Sequence, residues 1–331
     1  MIGIAVIGLG NALEPHAKSV ADLAGRVRVV WAAANSQTRL AGVADRYGWP
    51  VTTDVARAVQ DPAVQAVLLL TPANAHLELA EAAFAAGKHV LCEKPLEASL
   101  DRGERLVAAG RRSGRALGVV LQMRFRPGSR RLHEALAGGT LGEVQTASMA
   151  VPWWRPQTYY DQPGRGTRAR DGGGVLITQA IHTLDLFRWL VGISAVQAAQ
   201  VSRTALHQME CEDTASALVR LGNGAPGTIM ATTAAYPGRA ERIEVLGSKG
   251  VARLDGGNLR LDLLDGTQEI LTDDSGSGSG ANLMGFSHEA HKAVLTDFLD
   301  AIESGRDPAI TGESALETQL VIEAILAKGT E

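Results

Sequence analysis

The chain is poor in cysteine: Cys92 and Cys211 are the only two in 331 residues, and neither belongs to a C-x-x-C pair. That excludes a disulfide framework and argues against a zinc site, and Cys92, inside an apolar run, reads as a small core residue. Strong charge of one sign is also missing. The net charge is −4, with Lys and Arg scattered among Asp and Glu, so the electrostatic footprint of a nucleic-acid binder is absent. No uninterrupted apolar run reaches the about 18 residues of a membrane span. The first residues run straight into a strand, without a basic region, an apolar signal core or a cleavage site, so a cytoplasmic location is expected. Internal repeats are absent too. What remains, 45% apolar and 21% charged residues, is the composition of an ordinary soluble globular protein whose length suggests two domains.

Residues 1–121 alternate strand and helix signals. Runs at 2–7, 27–33, 66–70, 89–92 and 116–121 are short and rich in Val, Ile and Leu. Between them Leu77, Ala80 and Phe84 share a helical face over 74–86, as do Leu100, Gly103, Leu106 and Val107 over 99–114. Asp54 and Ser99 read as N-caps, Gly87 and Gly114 as helix stops. Alternation of this kind predicts right-handed crossovers and a parallel sheet covered on both faces. Beyond residue 123 the texture changes. A helix is expected over 128–137, then strands at 144–150, 195–202, 214–221, 228–236, 243–246, 251–254, 259–264 and 269–271. Glycine turns at 222–224, 247–250 and 265–266 join neighbours as hairpins, which predicts a mostly antiparallel sheet. One long helix over 175–191 interrupts it, 273–280 is a flexible loop by composition, and helices over 289–303 and 314–327 close the chain and pack back on the first domain. The expected fold class is α/β: a doubly wound parallel sheet over 1–123, then an α+β domain on a large, mostly antiparallel sheet over 124–331.

Three stretches carry chemistry. The opening Met1-Ile-Gly-Ile-Ala-Val-Ile-Gly8-Leu-Gly10-Asn11 reads as a buried strand feeding a glycine turn, as a Rossmann dinucleotide-binding domain begins. Gly8 permits the tight turn and Gly10 lets the backbone approach a pyrophosphate, which the following helix N-terminus favours. The second strand of such domains ends in a carboxylate that binds the adenosine ribose of NAD. Here Asn35, Ser36, Thr38 and Arg39 follow it with no carboxylate in reach, which leans the cofactor from NAD toward NADP; the alternative leaves Arg39 facing solvent. Thr71-Pro72-Ala-Asn-Ala-His76 follows the strand at 66–70 and faces the same crevice, with His76 either a cofactor contact or a first-turn polar residue. The second stretch is 86–95, a short apolar strand running into Glu93-Lys94-Pro95. Ligands of open α/β sheets bind beyond the carboxyl ends of the strands, where a cofactor meets its substrate. The third is Asp171-Gly-Gly-Gly174 followed by Thr178, Gln179, His182 and Asp185. Helical spacing puts Thr178, His182 and Asp185 on one face, so Asp185 can orient the His182 ring and His182 can exchange a proton with a substrate hydroxyl; a satisfied core histidine is the alternative.

With Gly8-x-Gly10, Thr71-Pro72, Gly87 to Pro95 and Gly172-Gly-Gly to Asp185 in place, the chain resembles the Gfo/Idh/MocA oxidoreductases along almost its whole length. The resemblance implies Lys94 as the catalytic lysine beside a nicotinamide, Glu93 as a nicotinamide-ribose ligand, His182 as partner acid–base and Gln122 near the nicotinamide. It also implies that 153–167 lines the mouth of the site, with Arg165 toward the cofactor. Arg124, Trp154, Arg155, Tyr160, Thr178 and Gln179, with Lys94 and His182, are the expected substrate contacts. The chain departs from the family at Leu13, for the third fingerprint glycine, at Ala73, where Asn is frequent, and at Thr178, where many members carry an aspartate. The implied activity is hydride transfer between NADP or NAD and a secondary alcohol or ketone of a sugar or polyol, without a metal, membrane or nucleic acid, in a homodimer or homotetramer. Alternatives are an NAD-retaining lyase or glycoside hydrolase, or a non-enzymatic dinucleotide sensor.

Overall fold

The computed structural model describes residues 1–273 and 287–329, so the loop expected over 273–280 lies, beyond Asp273, outside the described residues. The chain packs as two compact units, Met1–Gln122 with His288–Glu317 and Met123–Ser287 with Thr318–Glu331.

In the first unit β1 (Ile2–Ile7), α1 (Leu13–Asp22), β2 (Val27–Ala33), α2 (Gln37–Tyr47), β3 (Val51–Thr52), α3 (Val55–Gln60), β4 (Ala66–Leu69), α4 (His76–Ala85), β5 (His89–Cys92), α5 (Leu100–Ser113) and β6 (Leu117–Val119) follow one another. The sheet is parallel throughout, in the order β3-β2-β1-β4-β5-β6. Every residue of β1 and β4 is buried, because helices cover both faces of a parallel sheet and select continuous Val, Ile, Leu and Ala runs. Side chains set the helix ends. Asp54 accepts from Arg57 N at 2.9 Å and Ser36 from Arg39 N at 3.4 Å, whereas Ser99 makes no side-chain cap. β3 and α3 are too short to leave a periodicity, and of the two only the Asp54 N-cap of α3 is legible in the sequence. The strand order reverses beside β1, where open α/β sheets bind ligands. The turn after β1 fits only glycine there: Gly8 has φ +96°, and a Cβ on it would sit 2.6 Å from the Leu70 carbonyl carbon.

The second unit holds α6 (Pro127–Ala137), β7 (Val144–Pro152), α7 (Gln157–Tyr160), α8 (Arg168–Asp171), α9 (Ile181–Val191) and β8 (Ile193–Ser202). Then come β9 (Thr214–Leu221), β10 (Pro226–Thr232), β11 (Arg242–Gly247), β12 (Gly250–Asp255), β13 (Asn258–Leu263) and β14 (Gln268–Leu271). They form one sheet in the order β14-β13-β12-β11-β7-β10-β9-β8, antiparallel except where β7 meets β10. The three glycine turns join β9 to β10, β11 to β12 and β13 to β14. Along β9, Ala215, Ala217, Val219 and Leu221 turn inward while Ser216, Leu218 and Arg220 face out, the alternation of a sheet covered on one side.

The single helix expected over 175–191 is corrected. Leu176–Ala180 forms a π turn before α9 begins. Glu212 caps its start: its carbonyl accepts from Val175 N at 2.8 Å and its carboxylate from Leu176 N at 3.3 Å, satisfying amides that have no partner within the helix. Only a glycine at 174 allows this, since a Cβ would lie 1.9 Å from the Glu212 oxygen. The chain ends in α10 (Glu289–Ser304), which packs on α1, and α11 (Gly312–Gly329). Among the described residues no helix is long and apolar enough to cross a membrane.

Replacing Gly8 by alanine forces a left-handed φ on a side chain and drives its methyl into the Leu70–Thr71 peptide. Urea unfolding of Gly8→Ala is expected to show a loss of about 3 kcal/mol, the scale of a strained backbone plus a clash.

Candidate active site

β5 lies between β4 and β6, and its parallel ladder extends one residue further, with Glu93 N on Leu69 O at 2.8 Å and Val120 N on Cys92 O at 2.9 Å. Glu93 and Lys94 therefore emerge at the carboxyl edge of the sheet. One Glu93 oxygen meets His16 Nε2 at 2.7 Å and the other accepts from Lys94 N at 3.0 Å. Burial works to raise the Glu93 pKa, but the His16 hydrogen bond and the charges of His16, His291 and Lys94 outweigh it and hold the carboxyl at about 2. Glu93 is thus an acceptor at every physiological pH.

Among the described residues, two buried side-chain oxygens of this unit have no hydrogen-bond partner: Thr71 Oγ1, after β4, and Gln122 Oε1, after β6. Buried polar atoms are normally satisfied, so both are suited to donors from a bound ligand. Gly10 has open space where a Cβ would stand, room for a backbone-hugging pyrophosphate. Asn11, Asn35, Arg39 and Pro72 are exposed at the tips of the same turns, and Ser36 is half-buried. The glycine turn, the orphaned oxygens and the ionised Glu93 fit a dinucleotide.

His76 is corrected. It is fully buried, with Nδ1 3.1 Å from Leu96 O and Nε2 3.0 Å from Thr71 O, and the Cys92 thiol 3.0 Å from Nδ1. Burial lowers its pKa and keeps it neutral. It braces the 71–96 loops from behind, out of a ligand's reach.

In the second unit His182 is half-buried near the start of α9. Asp185, one turn on, does not serve it as expected. Its carboxylate takes a two-pronged bridge from Arg124, Nε at 2.7 Å and Nη2 at 2.5 Å, and a hydrogen bond from the Thr318 hydroxyl at 2.8 Å. Arg124, 5% exposed, is accordingly a structural partner of Asp185, not the substrate contact expected from sequence. Thr178 is half-buried and its hydroxyl donates to Gly174 O at 2.6 Å. The remaining expected contacts cluster. Arg155, 2% exposed, donates to Gln179 Oε1 at 3.0 Å and lies over the Trp153 and Tyr159 rings at 5.1 and 6.0 Å. Gln179 in turn donates to the Tyr159 hydroxyl at 2.9 Å, and the Tyr160 hydroxyl pairs with Thr233 at 2.7 Å. Burial raises the Arg155 cluster's Tyr160 to a pKa of about 12, so it stays a neutral phenol. Arg165 is held by Asp171 at 3.3 Å and sits over Tyr159, and Trp154 keeps one half-buried face. His207, braced by Asp213 at 2.7 Å, supports the Arg155 carbonyl at 2.8 Å. Sequence reasoning missed His16, His291, His207 and Thr318, because each is defined by partners distant in sequence.

The comparisons agree with this geometry. Residues 2–121 match a family model described as an oxidoreductase family with an NAD-binding Rossmann fold, and 129–253 match the C-terminal domain model of GFO/IDH/MocA. Myo-inositol 2-dehydrogenase of Thermotoga maritima is 30% identical over 94% of this chain and 91% of its own length. Inositol 2-dehydrogenase of Rhizobium meliloti is 28% identical over 98% and 96%. The WlbA dehydrogenase of Bordetella pertussis, solved with NADH and UDP-GlcNAcA, superimposes with a TM-score of 0.85 at 26% identity, covering 100% of this chain and 97% of that one. The molecule is an NAD-binding Rossmann oxidoreductase. The chain belongs to the Gfo/Idh/MocA family.

Asp185→Asn leaves the Arg124 guanidinium buried against a neutral amide. Denaturant unfolding is expected to show a loss of about 3–5 kcal/mol, and Arg124→Met combined with Asp185→Leu recovers most of it, because removing both charges removes the uncompensated one.

Proposed function

We propose that the chain catalyses reversible hydride transfer between a nicotinamide dinucleotide and a secondary alcohol of a sugar or polyol, with Lys94 as acid–base and His182 as its partner. The observation that carries the reading is the placement of Glu93 and Lys94 at the carboxyl edge of β5 in a sheet of order 3-2-1-4-5-6. Gly8, Gly10 and Asn11 suit the pyrophosphate, Asn35, Ser36 and Arg39 the adenosine end, and Thr71, Pro72, Glu93 and Gln122 the nicotinamide end. When bound, the dinucleotide supplies the hydride acceptor. Lys94 Nζ takes the hydroxyl proton as the C–H pair leaves and the carbonyl forms, and His182 shares that proton; in reduction both steps reverse. With Thr178 in place of a family aspartate, no carboxylate from that position assists the pair. Trp154 offers a stacking face to a pyranose ring, and Arg155, Gln179 and Tyr160 shape its surroundings. The relatives' names, two inositol dehydrogenases and an enzyme solved with a nucleotide sugar acid, support a polyhydroxylated substrate. The open face of the large sheet, where Leu218 and Leu246 point outward, is proposed for pairing with a second copy.

Lys94→Ala is expected to lower turnover about 10²- to 10⁴-fold, with cofactor affinity much less affected, in assays that follow reduced nicotinamide against a panel of polyols and sugars. Near-native turnover would refute the role of the lysine.

The adenosine end allows a finer statement. With no carboxylate after β2 to repel a 2′-phosphate, NADP is accepted as well as NAD, and the exposed Arg39 is its counter-charge. Arg39→Ala is expected to cut kcat/KM for NADP about tenfold and leave that for NAD nearly unchanged. Equal values for both cofactors before and after the change would remove the lean to NADP.

A further inference from the structure

His16, Glu93 and His291 form a trio in the first unit, and the two histidines have no part in the reaction above. His16, from α1, is 1% exposed and His291, from α10, is 4% exposed, so opposite ends of the sequence meet beside the catalytic strand. Their ligand atoms and those of Glu93 lie within 4.8 Å of one another, close enough for a metal on distance alone. The contacts argue otherwise. His16 Nε2 is hydrogen-bonded to Glu93 at 2.7 Å, the His16 and His291 imidazoles meet edge to face with centroids 5.3 Å apart, and the other Glu93 oxygen is committed to Lys94 N. A hydrogen-bond relay fits better.

The protons can be placed. An ionised carboxylate only accepts, so His16 Nε2 carries the hydrogen of its 2.7 Å contact with Glu93. A carboxylate offers about four lone-pair sites. His16 and Lys94 N occupy one on each oxygen, which leaves two for a vicinal diol.

We propose that His16, steadied by His291, is a positioning residue for dinucleotide binding: its Nε2–H fixes the Glu93 carboxylate so that the free lone pairs present themselves to the two hydroxyls of the nicotinamide ribose. This rests on reading Glu93 as the ribose ligand. The charged and titratable groups around the carboxylate are His16 from α1, His291 from α10, Lys94 beside it, and the neutral His76 and Cys92 behind. The His16 hydrogen bond and these neighbours outweigh burial and hold the Glu93 carboxyl at about 2, so in the native protein its acceptor capacity does not change between pH 5 and 8.

The test uses the full chain with His16→Leu, His16→Gln and Glu93→Gln, measuring NAD⁺ affinity by calorimetry from pH 5 to 8 beside thermal melting. Native affinity should stay level toward pH 5 as far as Glu93 is concerned. His16→Leu is expected to weaken NAD⁺ about tenfold at pH 7, the worth of a charge-assisted hydrogen bond, and further toward pH 5 as Glu93 begins to protonate. His16→Gln keeps an N–H donor without a charge. It should stay within about threefold of native at pH 7 yet weaken toward pH 5. Should the leucine variant not fold, that pH dependence of the glutamine variant carries the test. If Glu93→Gln weakens NAD⁺ while neither His16 variant does, the positioning role is overturned and the ribose reading stands. Equal weakening by both His16 variants at every pH, matched by equal losses in melting temperature, means packing alone and also overturns it. No effect of Glu93→Gln overturns the ribose reading and the inference together.

Discussion

The chemistry of this chain depends on a backbone constraint, the continuation of the parallel ladder one residue past β5. Glu93 N pairs with Leu69 O while Val120 N pairs with Cys92 O, so strands on both sides fix where the next residue starts. A parallel sheet delivers the ends of neighbouring strands to one edge, and that edge is where Thr71, Glu93, Lys94 and Gln122 all appear. Rigid strands place side chains more accurately than loops do, and the residues here need such accuracy. In the proposed function a ribose diol meets the carboxylate within hydrogen-bond distance while the lysine one residue on meets a hydroxyl.

The second unit solves a different problem, the burial of cations. Arg124 is almost sealed from solvent and is neutralised by Asp185 through two hydrogen bonds, with Thr318 satisfying a further lone pair. Arg155 is sealed as well, but lies among Gln179, the Trp154 carbonyl and aromatic faces. Its charge is stabilised by dipoles and ring quadrupoles, and burial lowers its pKa.

Periodicity made most of the fold legible. Fully apolar runs of four to six residues announced β1, β4 and β5, and alternating runs with glycine turns announced the hairpins, because burial on two faces or one writes those patterns directly. β3 and α3 are shorter than a period can reveal, and only the Asp54 N-cap announced α3. The contacts at the start of the π turn were illegible for another reason: Glu212, which caps it, lies more than thirty residues downstream, and only the glycine at 174 hinted that a second backbone approaches there. In the candidate site, motifs marked Glu93, Lys94 and the glycines. They did not mark the partners of those residues. Asp185 looked like the servant of His182 on helical spacing, yet spacing cannot show that Arg124, sixty-one positions earlier, arrives with two donors and a full charge.

The same asymmetry explains the division of labour proposed for Glu93 and Lys94. A carboxyl in water is already ionised at neutral pH, with a pKa of about 4 against about 10 for a lysine amine. Here the surroundings widen that gap: a carboxyl held at about 2 has no proton to give and almost no affinity for one at neutral pH. It can bind donors and stabilise positive charge, nothing more. General acid–base work needs a group whose affinity for a proton lies near the working pH, which is why the proposed reaction gives that role to the lysine and not to Glu93. In the same proposal the carboxylate braced by His16 is the acceptor for the cofactor.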